Sequence, residues 1–191
     1  MIIGINLLFL KDIRPTGIGN IIYPIIEEVL VKQDIEIGIF TQDIILPIKK
    51  YKNIRIIKLN NFKNSFTRIL FEQSIFFFKL KKFKINLLIN PSFISPIFFM
   101  SKNINIVHDL YFRKVPETLG RFNSLYYEIF LYLTLRVSLN TLVLSENTKS
   151  DLIKAYPWAI KKITLVPPII KNFNYYKNKI KLEGLPKNKK T

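Results

Sequence analysis

The sequence predicts an α/β domain built on a doubly wound, mainly parallel sheet. Three observations predict it. Short β-branched apolar runs recur along the chain, segments with apolar residues at helical spacing separate them, and Gly, Asn, Ser or His-Asp follow the runs where parallel strands would end. A chain of 191 residues is long enough for one such domain with a full core and short of the length usual for two. With 49% hydrophobic residues it can offset the entropy of ordering itself, so broad disorder is disfavoured.

Ile2 to Leu8 is short, β-branched and nearly continuous in hydrophobicity, the pattern of a parallel strand covered on both faces, and reads as the first central strand. After the charged loop Lys11 to Arg14 comes Thr16-Gly17-Ile18-Gly19-Asn20. Then Ile21, Ile22, Ile25, Ile26, Val29 and Leu30 share one helical face, with Glu27, Glu28 and Lys32 on the other. Pro24 interrupts that pattern and removes a backbone donor at a cost of about 3 kcal/mol, so this helix starts late or kinks. Glu36 to Thr41 and Asn53 to Leu59 read as the next strands, and Ser65 to Lys82 as a second helix with Phe66, Ile69 and Leu70 inward.

Ile85 to Ile89 is again a short buried strand, ending in Asn90-Pro91-Ser92. Asn103 to Val107 is another and delivers His108 and Asp109 at its carboxyl end. From Phe122 to Leu139 the positions Phe122, Leu125, Tyr126, Ile129, Phe130, Leu133 and Val137 keep helical period. Thr141 to Leu144 reads as a strand, Asn147 to Tyr156 as a helix with Ser145 as its N-cap, and Ile163 to Val166 as a final strand closed by Pro167-Pro168. Strands alternating with helices imply right-handed crossovers and a Rossmann-like domain. Ligands of such sheets bind beyond the carboxyl ends of the strands, where helix amino ends converge. Gly17, Gly19, Asn90 to Ser92, His108, Asp109, Ser145 and Glu146 then lie along one rim.

Gly17 and Gly19 allow a backbone to approach a phosphate or sugar closely, and equally allow a simple turn. A dinucleotide fingerprint needs a third small residue where Ile22 stands, and the loop lies too far past the first strand, so a nicotinamide cofactor is disfavoured. His108 is the sharpest candidate. An imidazole at a strand end titrates near neutrality and can bond a sugar hydroxyl or polarise a leaving group, although a histidine tied to backbone is the competing reading. Asp109 either accepts from that ring or caps the following turn. Ser145 and Glu146 open a helix, where capping is a strong alternative to ligand binding. No nucleophile elbow, P-loop or Asp-x-Asp pair is present, so metal-dependent phosphate chemistry has no visible ligands and no metal is expected.

The absence of cysteine excludes disulfides, thiolate metal sites and a Cys nucleophile. The net charge of +17 favours anionic partners, but Lys is spread from Lys11 to Lys190, which points to a basic surface open to anionic lipid rather than to a specific nucleic-acid site. Met1 to Asn6 has no basic n-region or cleavage site, and no apolar stretch reaches the ~18 residues of a membrane span. A cytoplasmic chain that touches the inner membrane face is the simplest fit.

Taken in order, Thr16-Gly17-Ile18-Gly19-Asn20, Asn90-Pro91-Ser92-Phe93, Val107-His108-Asp109-Leu110, Pro116-Glu117, the run Leu144 to Leu152, and Ile163 to Pro168 carry a family resemblance. They resemble the N-terminal domain of a GT-B glycosyltransferase of the retaining family four, the group that includes lipopolysaccharide and polysaccharide mannosyl- and glucosyltransferases. That resemblance implies two Rossmann-like domains facing across a cleft, with acceptor on the first and nucleotide-sugar on the second. It puts Gly17 and Gly19 near the donor diphosphate and His108 against the transferred sugar, which makes His108 and Asp109 the candidate catalytic residues. Gly17, Gly19, Ser145 and Glu146 become candidate substrate contacts. The nucleotide-sugar is a substrate and no cofactor is implied.

The same resemblance divides the chain into an acceptor-side domain, residues 1–171, and a basic stretch, residues 172–191, like the linker that leads into the donor domain. The family's donor-binding basic residue and paired glutamates have no counterpart here. The sequence also departs from the family pattern at Pro24, at Asn90 where His is common, and at Ile169 where Gly follows the proline pair. Three readings follow. The chain is an acceptor half completed by a separate donor domain and acting on a saccharide or lipid-linked acceptor; or it is an inactive truncated remnant; or, on charge alone, it binds nucleic acid or an anionic membrane.

Overall fold

The computed structural model describes residues 1–10, 35–42, 52–59, 61–100, 102–114, 117 and 121–167. Seven strands form one sheet in the order β3-β2-β1-β4-β5-β6-β7: β1 Ile2–Asn6, β2 Glu36–Thr41, β3 Ile54–Lys58, β4 Leu87–Asn90, β5 Asn103–Val107, β6 Asn140–Val143 and β7 Ile163–Leu165. Every pairing is parallel. This is the doubly wound Rossmann-like α/β fold expected from the sequence.

The described helices are α1 Ser65–Gln73, α2 Ile75–Lys82, α3 Tyr111–Lys114, α4 Arg121–Val137 and α5 Glu146–Ala155, followed by a 3-10 helix, Pro157–Lys162. The chain runs outward from β1 to β3, then returns through α1 and α2 to lay β4 on the open edge of β1. The strand order therefore reverses between β1 and β4. At such a switch point the connections leave in opposite directions and open a crevice at the carboxyl ends.

Side-chain alternation explains the packing. Ile3, Ile5, Ile37 and Ile39 cluster on one face of the sheet. On the other, Phe40, Ile57, Phe76, Leu80, Ile85 and Leu88 form a core beneath α1 and α2, with the Phe40 and Phe76 rings edge to face at 5.0 Å. Gly4 and Gly38 are registered side by side. A Cβ on Gly4 would stand 2.9 Å from Ile85 Cγ2 and 3.1 Å from Leu88 Cδ1, so close packing of the β4 segment requires glycine there. A third core gathers Val107, Leu131, Leu135, Val143, Leu152 and Ile163.

Several boundaries differ from the sequence expectation, each for a local reason. The first strand stops at Asn6 rather than Leu8 because Asn6 Oδ1 accepts from the Leu8 amide at 3.1 Å and turns the chain. The helix expected over Ser65 to Lys82 is two helices broken at Ser74, whose Oγ donates to the Leu70 carbonyl at 2.6 Å. Phe66 and Leu70, expected inward, are 69% and 60% exposed. The inward stripe is Ile69, Glu72, Phe76 and Leu80, and it runs through a carboxylic acid that an apolar pattern cannot see.

In α4 the helix stands where expected, but Leu125 and Ile129 face solvent while Leu131, Thr134 and Leu135 are buried. The helix is apolar nearly all round, so the period defines it without fixing its rotation. The glycine loop with Gly17 and Gly19, the Pro24 helix, Pro168, Ile169 and residues 172–191 lie outside the described residues.

Candidate functional site

The carboxyl ends of β1, β4, β5 and β6 converge on a two-layered arrangement. The lower layer is a polar network that is fully buried at Asn6, Asn90, Ser95, Asn105 and Thr134. Asn6 Nδ2 donates to Asn90 Oδ1 at 2.8 Å and to Glu72 Oε1 at 3.1 Å, tying the two strands of the switch point to α1. Asn90 Nδ2 in turn faces the Ser92 carbonyl at 3.0 Å, Ser95 Oγ and Asn105 Oδ1 at 3.2 Å each, and the Ile94 carbonyl. Asn105 Nδ2 donates to the Phe93 carbonyl at 3.1 Å, and the Ser95 amide donates to Thr134 Oγ1 at 3.0 Å. Buried amides this well partnered fix a unique geometry, because each would cost about 1–3 kcal/mol if left unpaired.

Glu72 titrates above the ordinary carboxylate range. Burial is the main cause, opposed by the Arg68 charge and by the Asn6 hydrogen bond. Arg68 Nε stands 3.8 Å from Oε2, too far for a hydrogen bond, which is why it does not offset the desolvation.

The upper layer carries His108. Its Nε2 lies 2.9 Å from the Pro91 carbonyl, which can only accept, so Nε2 bears the proton. Burial holds the ring below the usual imidazole range, opposed by that backbone bond and by the Asp109 charge. Asp109 Oδ1 accepts from the Tyr111 amide at 2.9 Å, an Asx turn that leads into α3; no hydrogen bond joins it to the imidazole. Ser145 Oγ accepts from the Thr148 amide at 3.2 Å as N-cap of α5, and Thr148 Oγ1 donates to the His108 carbonyl at 2.9 Å. Glu146 is exposed in the first turn of α5, 3.9 Å from Lys149 Nζ. The fold thus brings His108 and Ser145 together through Thr148, with Asp109 and Glu146 at the margins, while Gly17 and Gly19 lie outside the described residues.

No family model matches the chain, and no curated protein matches it in sequence. Solved structures do match it. The crystal structure of WaaG, a glycosyltransferase involved in lipopolysaccharide biosynthesis, aligns with a TM-score of 0.67 over 94% of this chain and 51% of that chain, at 14% identity. The fold is shared with a glycosyltransferase. The chain spans about half the length of that protein.

Behind this rim, α3, α4 and α5 are fastened by one polar cluster. Arg113 Nε donates to Glu128 Oε2 at 2.6 Å and its Nη2 pairs with Oε1, which also accepts from the Tyr156 hydroxyl at 2.6 Å. Lys114 Nζ pairs with Asp151 at 2.6 Å. These contacts hold the turn after His108 against the sheet.

Sequence reasoning missed Asn6, Glu72, Ser95 and Asn105. A signal for part of the network exists: Asn103 and Asn105 alternate with Ile104 and Ile106 in a strand covered on both faces, and an amide there must find buried partners. Among the described residues, no helix is long and apolar enough to cross a membrane.

Proposed function

We propose that this chain is the acceptor-side domain of a retaining GT-B glycosyltransferase of family four, transferring sugar from a nucleotide-sugar to a saccharide or lipid-linked acceptor in surface polysaccharide or lipopolysaccharide synthesis. The observation that carries the reading is His108 at the carboxyl end of β5, its Nε2 held by the Pro91 carbonyl beside the α5 amino end, on a fold shared with WaaG. In this reading His108 faces the transferred sugar and Gly17 and Gly19 lie by the donor diphosphate. The α5 amino end with Ser145 and Glu146 borders the substrate. Asp109 supports the turn. The donor is a substrate, no metal takes part, and a second domain supplies nucleotide binding, so transfer requires both halves.

The Asn90 network bears on the alternative of an inactive remnant. Asn90 replaces a residue usual in the family, yet it is fully partnered at the centre of a closed network, as in a maintained site. The acceptor is met at an anionic membrane surface in this reading. Lys81, Lys84 and Lys102 line a groove with Phe77, Phe98 and Met100, and Phe98 and Met100 are exposed.

The test is reconstitution. The chain is mixed with the donor domain of a family-four enzyme and assayed with radiolabelled nucleotide-sugars and lipid-linked acceptors. Transfer is expected only in the mixture, and His108→Ala lowers it at least about tenfold, the worth of one hydrogen bond. No transfer with any donor half, with both partners folded, overturns the proposal in favour of an inactive remnant.

A further inference from the structure

In the loop between β4 and β5 four successive carbonyls are claimed by side chains. His108 Nε2 takes that of Pro91, Asn90 Nδ2 takes those of Ser92 and Ile94, and Asn105 Nδ2 takes that of Phe93. Pro91 has no amide hydrogen, so its carbonyl is the one backbone group it offers. Two buried side-chain amides therefore fix the direction in which that carbonyl points. His108 makes no other side-chain hydrogen bond among the described residues.

We propose that Asn90 and Asn105 are positioning residues that set the tautomer of His108. By holding residues 91–95 they present the Pro91 carbonyl to Nε2, keep the ring proton there, and leave Nδ1 as a bare hydrogen-bond acceptor for the ligand. The opposite tautomer would set a lone pair against the Pro91 oxygen at 2.9 Å and leave that carbonyl unpaired. An acceptor nitrogen recognises a group that donates. The ligand group at His108 is therefore a hydroxyl, as a sugar or an alcohol provides, and not a phosphate oxygen, which would require an N–H. The ligand assignment rests on the proposed function; the tautomer does not.

His108 is the single histidine of the chain, so its ring signals in a 15N-labelled sample need no assignment. Above the ring's titration, the expected spectrum has Nε2 protonated, its N–H visible through slowed exchange, and Nδ1 displaced far downfield as a bare nitrogen. A proton on Nδ1 overturns the proposal whatever any variant does. Asn90→Ser is expected to lose the slowed Nε2–H signal and to mix the tautomers. Asn105→Ser carries the same expectation should Asn90→Ser not fold. A folded variant with unchanged ring signals removes the positioning role. Inorganic phosphate is expected to leave the ring signals in place, and phosphate-induced protonation of the ring would overturn the hydroxyl assignment. Reconstituted transfer by a chain with Nδ1 protonated would sink this inference and spare the proposed function. The expected tautomer without transfer would do the reverse.

Discussion

Glu72 and Gly4 show how single positions constrain this fold. A carboxyl whose folded pKa is raised binds its proton more tightly folded than unfolded, so its contribution to stability is full below the ordinary value of 4.5 and declines as pH rises through the gap. Glu72→Gln keeps an oxygen for Asn6 Nδ2 and removes the titration. Chemical denaturation should find the variant at or above the parent's stability at pH 8 and level with it near pH 4; a variant weaker than the parent at pH 8 would mean that the charged form is the useful one. Gly4→Ala should destabilise by about 1–3 kcal/mol through overpacking. Because the closest neighbour is a β-branched methyl on Ile85, combining it with Ile85→Ala should cost less than the sum of the two single changes. Neither residue's role was legible in sequence. A charge in a helix reads as solvent-facing, and a glycine in a strand reads as a weakness until the neighbour across it is known.

At the scale of elements, strands were read from sequence to within about two residues at either end, because β1 and β2, buried on nearly every residue, leave near-continuous apolar runs and the others leave short β-branched ones. Helices were harder. The N-cap of α5 was legible because Ser145 is followed by a polar first turn, and Ser145→Ala should cost about 1 kcal/mol in thermal unfolding. The break at Ser74 and the rotation of α4 depend on what lies across from each helix, which no local pattern contains. The cluster joining α3, α4 and α5 has a pH signature of the opposite sense to Glu72. The Arg113 hydrogen bond holds the Glu128 carboxyl below the usual range, so its stabilisation is present above 4.5 and is lost as pH falls. Glu128→Gln should flatten the acid limb of the stability curve below that value. The pair is about one-third exposed, so the effect at pH 7 is under about 1 kcal/mol.

At the scale of the whole molecule, Lys81, Lys84 and Lys102 meet the exposed Phe98 and Met100 at the groove beside α2. Each Lys near an anionic lipid surface contributes about 1 kcal/mol, and Lys81 also covers the Phe77 ring at 4.5 Å. Sedimentation with anionic vesicles should carry the chain down at low salt and release it as salt rises, whereas zwitterionic vesicles should not bind it. Lys81→Glu with Lys102→Glu should abolish that binding without changing the far-ultraviolet spectrum. Undiminished binding by the double variant would exclude this groove as the contact.

The reversal of strand order between β1 and β4 also governs how the chain reaches its native state. Asn6 meets Asn90 across 84 residues, so β1, an interior strand that precedes its partner β4 in the chain, keeps one edge open until that second neighbour has been synthesised. A slip of one residue would carry Asn6 to the opposite face and strand both amides in apolar surroundings. The buried pair thus penalises a slipped register at the strand pairing of longest sequence separation, and its substitution is expected to delay refolding and favour aggregation.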